Sequence, residues 1–176
     1  MKQEIALSIV LPVRNEAPCV GGVLREIIAV FEKSLPKPGE IIVVDDASRD
    51  ASVEVVEAVV KDAGLGKSLA GPAGGVVLSH LILPDRCGQS QALMKGLAAA
   101  RGELIVSLDA DAQYDPCDIP RLIEKMAGLD MLCGIRKNRK DTVARILFSR
   151  IGNAFRNRVT GDSTKDAGCT LRLMRK

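Results

Sequence analysis

The chain has 176 residues, is 47% hydrophobic and 27% charged, and carries a net charge of +3. That length supports one well-buried domain and is short for two, and the apolar fraction excludes disorder and collagen-like repeats. Its four aromatic residues, Phe31, Tyr114, Phe148 and Phe155, are too few for a base-stacking surface, so no nucleic-acid partner is expected.

The charge is unevenly placed. Residues 1–133 hold 13 Lys/Arg against 19 Asp/Glu, a net of −6, whereas residues 134–176 hold 12 against three, a net of +9. An acidic body with a basic final quarter implies that the end of the chain meets something anionic. The cysteines at 19, 87, 117, 133 and 169 are odd in number and scattered, without a CxxC pair, and His80 is the single histidine. Structural zinc and a disulfide framework are therefore disfavoured, and five free thiols in a reducing compartment are expected. No stretch approaches the ~20 apolar residues of a membrane span. Pro12, Arg14 and Asn15 interrupt any signal-peptide core, so the chain reads as soluble and intracellular.

Taken in order, Ile5–Val13 is a strand, Val20–Glu32 a helix, Glu40–Asp45 a strand and Ser52–Lys61 a helix. Gly64–Gly75 reads as a glycine-rich surface loop. Val76–Leu83, which carries His80, is a strand, followed by the helix Gln89–Ala100, the strand Glu103–Leu108 and the helix Ile119–Met126. Short β-branched runs bounded by turn residues are buried on both faces, which indicates a parallel sheet. The alternation predicts an α/β layered fold with mainly right-handed crossovers. After the loop Asp130–Arg139, a last helix over Asp141–Thr160 places Val143, Ile146, Leu147, Ile151, Ala154, Phe155 and Val159 on one face, with Arg145, Arg150, Arg156 and Arg158 mostly off it. That pattern fits either a membrane-surface helix or a capping helix with a solvated basic face. No linker divides the chain.

Three familiar motifs fail. Gly64-Leu-Gly-Lys-Ser68 has Lys61 where a P-loop needs glycine, and it follows a helix rather than a strand. The turn Pro12–Pro18 has no glycine for a dinucleotide pyrophosphate. No serine sits in a GxSxG elbow.

Carboxylates do form a pattern. Glu16, Asp45 with Asp46, and Asp109 with Asp111 each follow a different predicted strand. The ligand crevice of an open parallel sheet lies outside those ends, so these side chains converge on one cleft. Leu108-Asp-Ala-Asp-Ala-Gln113 offers carboxylates at i and i+2 and an amide oxygen at i+4, a donor set for a hard divalent cation bridging phosphates. A turn or helix-capping pair uses the same spacing, but the strand context and Gln113 favour the metal. Arg136 and Arg145, in the basic region, suit a second phosphate.

Together, Ser8-Ile-Val-Leu-Pro-Val-Arg-Asn-Glu16, Glu40-Ile-Ile-Val-Val-Asp-Asp-Ala-Ser48 and Val106-Ser-Leu-Asp-Ala-Asp-Ala-Gln113 resemble the family 2 glycosyltransferases of GT-A fold. Within these the chain is similar to the polyprenyl-phosphate branch, the dolichyl-phosphate mannose synthases and undecaprenyl-phosphate glycosyltransferases. Arg86-Cys-Gly-Gln-Ser-Gln-Ala92 looks closer to the undecaprenyl type, which usually has Asn at the position of Cys87. Gly134-Ile-Arg136, Arg145-Ile-Leu-Phe-Ser149, Asn153, Thr160-Gly161 and Asp166–Arg172 extend the likeness over nearly the whole chain.

The resemblance implies one GT-A catalytic domain over 1–176, a mainly parallel open sheet flanked by helices, with a nucleotide-binding half (1–108) and a metal and acceptor half (109–176). It implies that Pro12, Arg14, Glu16, Asp45 and Asp46 hold the nucleoside, with Asp109 also reaching the nucleotide. Asp109, Asp111 and Gln113 would surround Mg²⁺ or Mn²⁺, and Arg136, Arg145 and Ser149 would receive the lipid phosphate. Ile146 stands where the family often has a second basic residue. Asp109, Asp111 and Arg136 would carry catalysis, and Asp166 is a candidate for positioning the sugar or an arginine.

The implied reaction moves a sugar from a UDP- or GDP-sugar to a polyprenyl phosphate with inversion, at the cytoplasmic face of a membrane met by the basic C-terminal region. Family members usually continue into one more amphipathic segment and then membrane helices, so the chain reads as a truncated catalytic domain, with a naturally soluble member as the alternative. Three other classes accommodate parts of the pattern: a soluble family 2 enzyme with a sugar or protein acceptor, a nucleotidyltransferase, and a non-catalytic membrane-docking module. Spacing assigns neither sugar, base nor oligomeric state.

Overall fold

The computed structural model describes residues 4–65, 75–135, 152, 155–161, 166 and 168–176. Six strands form one sheet: β1 Leu7–Val13, β2 Gly39–Asp45, β3 Val76–Ile82, β4 Leu104–Ser107, β5 Met131–Cys133 and β6 Arg172–Arg175. The helices that accompany them among the described residues include α1 Ala17–Lys33, α2 Ser52–Asp62, α3 Gln89–Ala99 and α4 Ile119–Glu124, the last preceded by a 3₁₀ turn at Pro116–Asp118. The mixed α/β architecture agrees with the alternation in the sequence. The chain groups into two compact units, one of residues 1–132 with 171–176 and one of residues 133–170.

The strand order is β3-β2-β1-β4-β6-β5. β1 pairs in parallel with β2 and β4, and β2 with β3. The chain thus runs outward from β1 to β3 and returns to the other side of β1 at β4. The C-terminal ends of β1 and β4 therefore flank a topological switch point, the place where an open α/β sheet leaves a crevice.

Period-2 alternation sets which side chains meet α3. Val10 of β1, Ile42 and Val44 of β2 and Ile105 of β4 form one apolar cluster with Ala92 and Ala100, joined by Leu93, Leu97 and Met174. The intervening Ile9, Leu11, Ile41 and Val43 are buried as well, so both faces of the central strands are covered. Gly96 lets α3 lie directly on the sheet, because a Cβ there would collide with Val10 Cγ1 and stand 3.0 Å from Val44 Cγ2. Pro18 in the first turn of α1 sits where a missing N–H costs nothing.

At the opposite end of the sheet Glu40, 1% exposed, is a structural pin. Its Oε1 accepts from Ser8 Oγ and the Arg101 N–H, both at 2.6 Å, and its Oε2 accepts from Arg101 Nε at 2.9 Å. Ser8 Oγ in turn accepts from the Gly102 N–H at 2.8 Å. A buried carboxylate so fully hydrogen-bonded ties β1, β2 and the start of β4 together.

Two departures from the sequence reading concern the C-terminal region. Arg172–Arg175 is a strand, antiparallel to β4 with Leu104 opposite Arg175 and Ser107 opposite Arg172. Arg175 pairs with Glu103 at 3.5 Å and donates to the Leu129 carbonyl, and Nζ of Lys176, the next residue, donates to the Ala100 carbonyl at 2.9 Å. Arg172–Arg175 thus belongs to the sheet, while most of the basic region expected to meet an anion lies outside the described residues. The short β5 was not anticipated either. Most of the glycine-rich loop and of the helix expected over Asp141–Thr160 lies outside the described residues, although 155–160 is helical, with Phe155 and Val159 exposed. Among the described residues no helix is long and apolar enough to cross a membrane.

Candidate active site

The loops leaving β1 and β2 are stitched into one wall. The Arg14 guanidinium donates to the Asp46 and Ala47 carbonyls. Backbone N–H groups of Asn15, Glu16 and Ala17 donate to Ser48 Oγ, Ser52 Oγ and Asp50 Oδ2 at 2.9, 2.9 and 3.1 Å. Arg49 N–H returns the contact to Asn15 Oδ1 at 2.8 Å. Asn15, Ala47 and Ala112 hold φ of 53°, 53° and 58°, one left-handed non-glycine residue in the loop after each of β1, β2 and β4. Local strain of this kind persists where surrounding bonds over-determine the backbone, and it gathers at functional sites.

Between this wall and the loop after β4 lies a cleft of about 340 Å³ at the switch point. Pro12, Arg14 and Glu16 from β1 and its loop, Asp46 from the β2 loop, and Asp109 and Asp111 from the β4 loop all line it. Six of the predicted site residues are thereby brought together. Asp45 is not among the lining residues; it is 1% exposed, with Oδ1 accepting from the Ser48 N–H at 2.8 Å. Its buried Oδ2 has no hydrogen-bond partner among the described residues. Gln113 is exposed, and its backbone N–H, rather than its side chain, reaches Asp111 Oδ1 at 3.1 Å. Arg136, Arg145 and Ser149 lie outside the described residues. Asp166 is buried, and its carbonyl accepts from the Cys169 N–H.

The loop from β3 to α3 closes the other side with Arg86, Gly88 and Gln89. The sequence reading gave these residues no role beyond their likeness to the family. Their signal was positional, since they follow the C-terminal end of β3 as the carboxylates follow the other strands. Asp46, although it lines the cleft, aims its carboxylate at this loop: Oδ1 accepts from the Cys87 N–H at 2.6 Å and Oδ2 from the Gly88 N–H at 2.9 Å. Burial would raise its carboxyl, but the Cys87 N–H and thiol, the Gly88 N–H and Arg14 outweigh burial and hold it below the usual carboxylate range. The Cys87 thiol is correspondingly pushed up by desolvation and by Asp46, which makes it a poor nucleophile. All five cysteines are free thiols.

Glu16 behaves oppositely. Partial burial, then the charges of Asp111, Asp109 and Asp50, raise its carboxyl above the usual value. The cleft thus accumulates negative charge that a cation would relieve. Among the described residues no group of three or more His, Cys, Asp or Glu side chains encloses an ion. Paired carboxylates on an open cleft fit a hard cation whose remaining positions go to phosphate oxygens and water.

Residues 8–176 match the family profile described as Glycosyl transferase family 2. The chain belongs to that family. It is 38% identical over 171 residues to an undecaprenyl-phosphate 4-deoxy-4-formamido-L-arabinose transferase of Pseudomonas paraeruginosa, covering 97% of this chain and 47% of that protein. The transferase of the same name from Salmonella enteritidis is 36% identical over 174 residues, covering 97% and 49%. The chain therefore spans about half the length of the curated relatives it matches. Among solved structures, glucosyl-3-phosphoglycerate synthase from Mycobacterium tuberculosis, in complex with phosphoglyceric acid, superposes with a TM-score of 0.69 at 20% identity, over 97% of this chain and 57% of that one. A mannosyltransferase from Pyrobaculum calidifontis, in complex with GDP-Man and Mn²⁺, gives 0.61 at 23% identity, over 77% and 37%. These likenesses establish the GT-A fold for the family 2 chain.

Proposed function

We propose that this family 2 chain is the catalytic domain of an inverting glycosyltransferase that moves a sugar from a nucleoside diphosphate sugar to a polyprenyl phosphate at a membrane surface. The observation that carries the reading is the switch-point cleft, which Asp109, Asp111, Arg14 and Arg86 line together. The relatives named as undecaprenyl-phosphate transferases support the acceptor class.

Each residue then has a definable task. Asp45 Oδ2, a buried acceptor, suits a nucleoside N–H or hydroxyl, because an unpaired buried carboxylate oxygen is costly until a donor arrives. Arg14 and Asp46 hold the walls of the nucleoside site. Asp109 and Asp111, with Gln113 close by in the same loop, would hold Mg²⁺ or Mn²⁺, which supplies charge neutralisation to the departing diphosphate. The acceptor phosphate is assigned to Arg136, Arg145 and Ser149. Its oxygen is already anionic near neutral pH, so the chain needs no strong general base, and catalysis rests on alignment and charge.

The test pairs binding with transfer. Thermal protection by UDP, GDP and CDP is measured with Mn²⁺ and with EDTA, and sugar transfer is assayed with a polyprenyl phosphate and with a soluble sugar acceptor. Protection by one diphosphate, lost with EDTA and in Asp111→Ala, together with transfer to the lipid phosphate alone, is the expected result. Full metal-dependent transfer by Asp111→Ala would remove the site assignment, and transfer to the sugar would remove the acceptor assignment.

A further inference from the structure

The first residue of α3, Gln89, reaches across the cleft, and its Nε2 donates to Asp109 Oδ1 at 2.7 Å. The two residues are 20 positions apart and stand on separate loops, after β3 and after β4. Gln89 is exposed, so this bond contributes little to folding, because water satisfies both groups nearly as well. What the bond does fix is direction. Nε2 holds one oxygen of the Asp109 carboxylate and so restricts rotation about its last torsion.

The donor is itself held. Asp46 accepts from the Cys87 and Gly88 N–H groups at 2.6 and 2.9 Å, which pins the two residues immediately before Gln89. Gly88, with φ of 90°, makes the turn that starts α3 there. Asp46 is 2% exposed and is reached on its own carbonyl by Arg14. A continuous path of hydrogen bonds thus runs from the β1–β2 wall, through the backbone of the β3 loop, to the first carboxylate of Asp-Ala-Asp. The choice of a carboxamide matters chemically. It orients Asp109 without neutralising it, whereas a lysine or arginine in the same place would compete with a cation for the same charge.

We propose that Gln89 is a positioning residue that fixes the Asp109 carboxylate for a divalent cation. This rests on the donor-site reading above. Outer partners that orient metal-binding side chains typically change metal affinity roughly tenfold or more when removed.

Gln89→Met, nearly the same shape but unable to donate, is compared with the parent chain. Mn²⁺ binding is followed by electron paramagnetic resonance in the presence of the nucleoside diphosphate that protects the parent, and affinity for the corresponding nucleoside, which has no diphosphate for a metal to bridge, is measured in EDTA. The expected result is a metal affinity weakened about tenfold in Gln89→Met, with the melting temperature of the ligand-free variant matching that of the parent. A metal affinity within twofold of the parent would overturn the proposal while leaving the donor site intact. An equal loss of nucleoside affinity in EDTA would overturn it too, since Gln89 would then be touching the nucleoside. Failure of the parent itself to bind Mn²⁺ would overturn the donor-site reading and the proposal together.

Discussion

Asp46 and Glu16 are carboxylates on the same cleft with opposite titration behaviour, and the difference lies in what each accepts. Asp46 takes two N–H bonds from the β3 loop, so its folded-state pKa lies below the usual 3.8. A lowered pKa adds stability above the unfolded value and loses it as pH falls through the folded one. Asp46→Asn is therefore expected to cost about 2 kcal/mol at pH 7. The difference from the parent should vanish in acid denaturation series below the folded pKa. Glu16 has its pKa raised above the usual 4.5, first by burial and then by Asp111, Asp109 and Asp50. The sign reverses: its favourable contribution is complete below pH 4.5 and is lost as pH rises through the folded value. Glu16→Gln should melt at a higher temperature than the parent at pH 7, with the gain disappearing in acid. Mn²⁺ should narrow the gap at neutral pH by screening the parent's clustered charge. These two residues also mark how far the sequence could be read. Asp45 and Asp46 are adjacent and look equivalent as letters. Successive side chains leave the end of a strand in different directions, so Asp45 closes its own turn at Ser48 while Asp46 crosses to Cys87 and Gly88.

At the scale of elements, β1 to β4 and α1 to α4 were legible because each carries its own apolar period and turn residues within a single window. Ends moved by one to three residues: α1 begins at Ala17 rather than Val20, and β4 covers Leu104–Ser107 within the expected Glu103–Leu108. β6 was not legible. Its four residues alternate, but two are arginines, and their pairing with β4 joins Leu104 to Arg175 across most of the second half of the chain. Packing between elements yields two predictions. Gly96→Ala improves helix propensity, yet the new methyl would enter the space of Val10 and Val44. Overpacking should win, for a net loss of about 1–2 kcal/mol by urea denaturation. Glu40→Ala would strand the Ser8 hydroxyl and the Arg101 N–H, at a cost of about 3 kcal/mol. Because Glu40 lies at the end of the sheet away from the cleft, diphosphate affinity measured on the folded fraction should stay at the parent value.

For the whole molecule, binding and stability are linked through the unit that holds the cleft, residues 1–132 with 171–176. A diphosphate at 100 times its dissociation constant adds about 2.7 kcal/mol if it binds only the folded state. For a domain of this size that corresponds to a rise of roughly 5–10 °C in Tm. Calorimetry with Mn²⁺ should place this rise in the transition of that unit, and EDTA should abolish it.

The sequence by itself determined the α/β class, the strands that Glu16, Asp46, Asp109 and Asp111 follow, and membership of a family 2 lineage, since all of these reside in local runs and ordered motifs. Tertiary structure alone decided that Arg175 and Lys176 serve the sheet, that Asp46 holds a loop, and that Gln89 meets Asp109. Those facts depend on which strand ends become neighbours. That order, β1 between β2 and β4, is set by burying every apolar face at once, which no single window of sequence records.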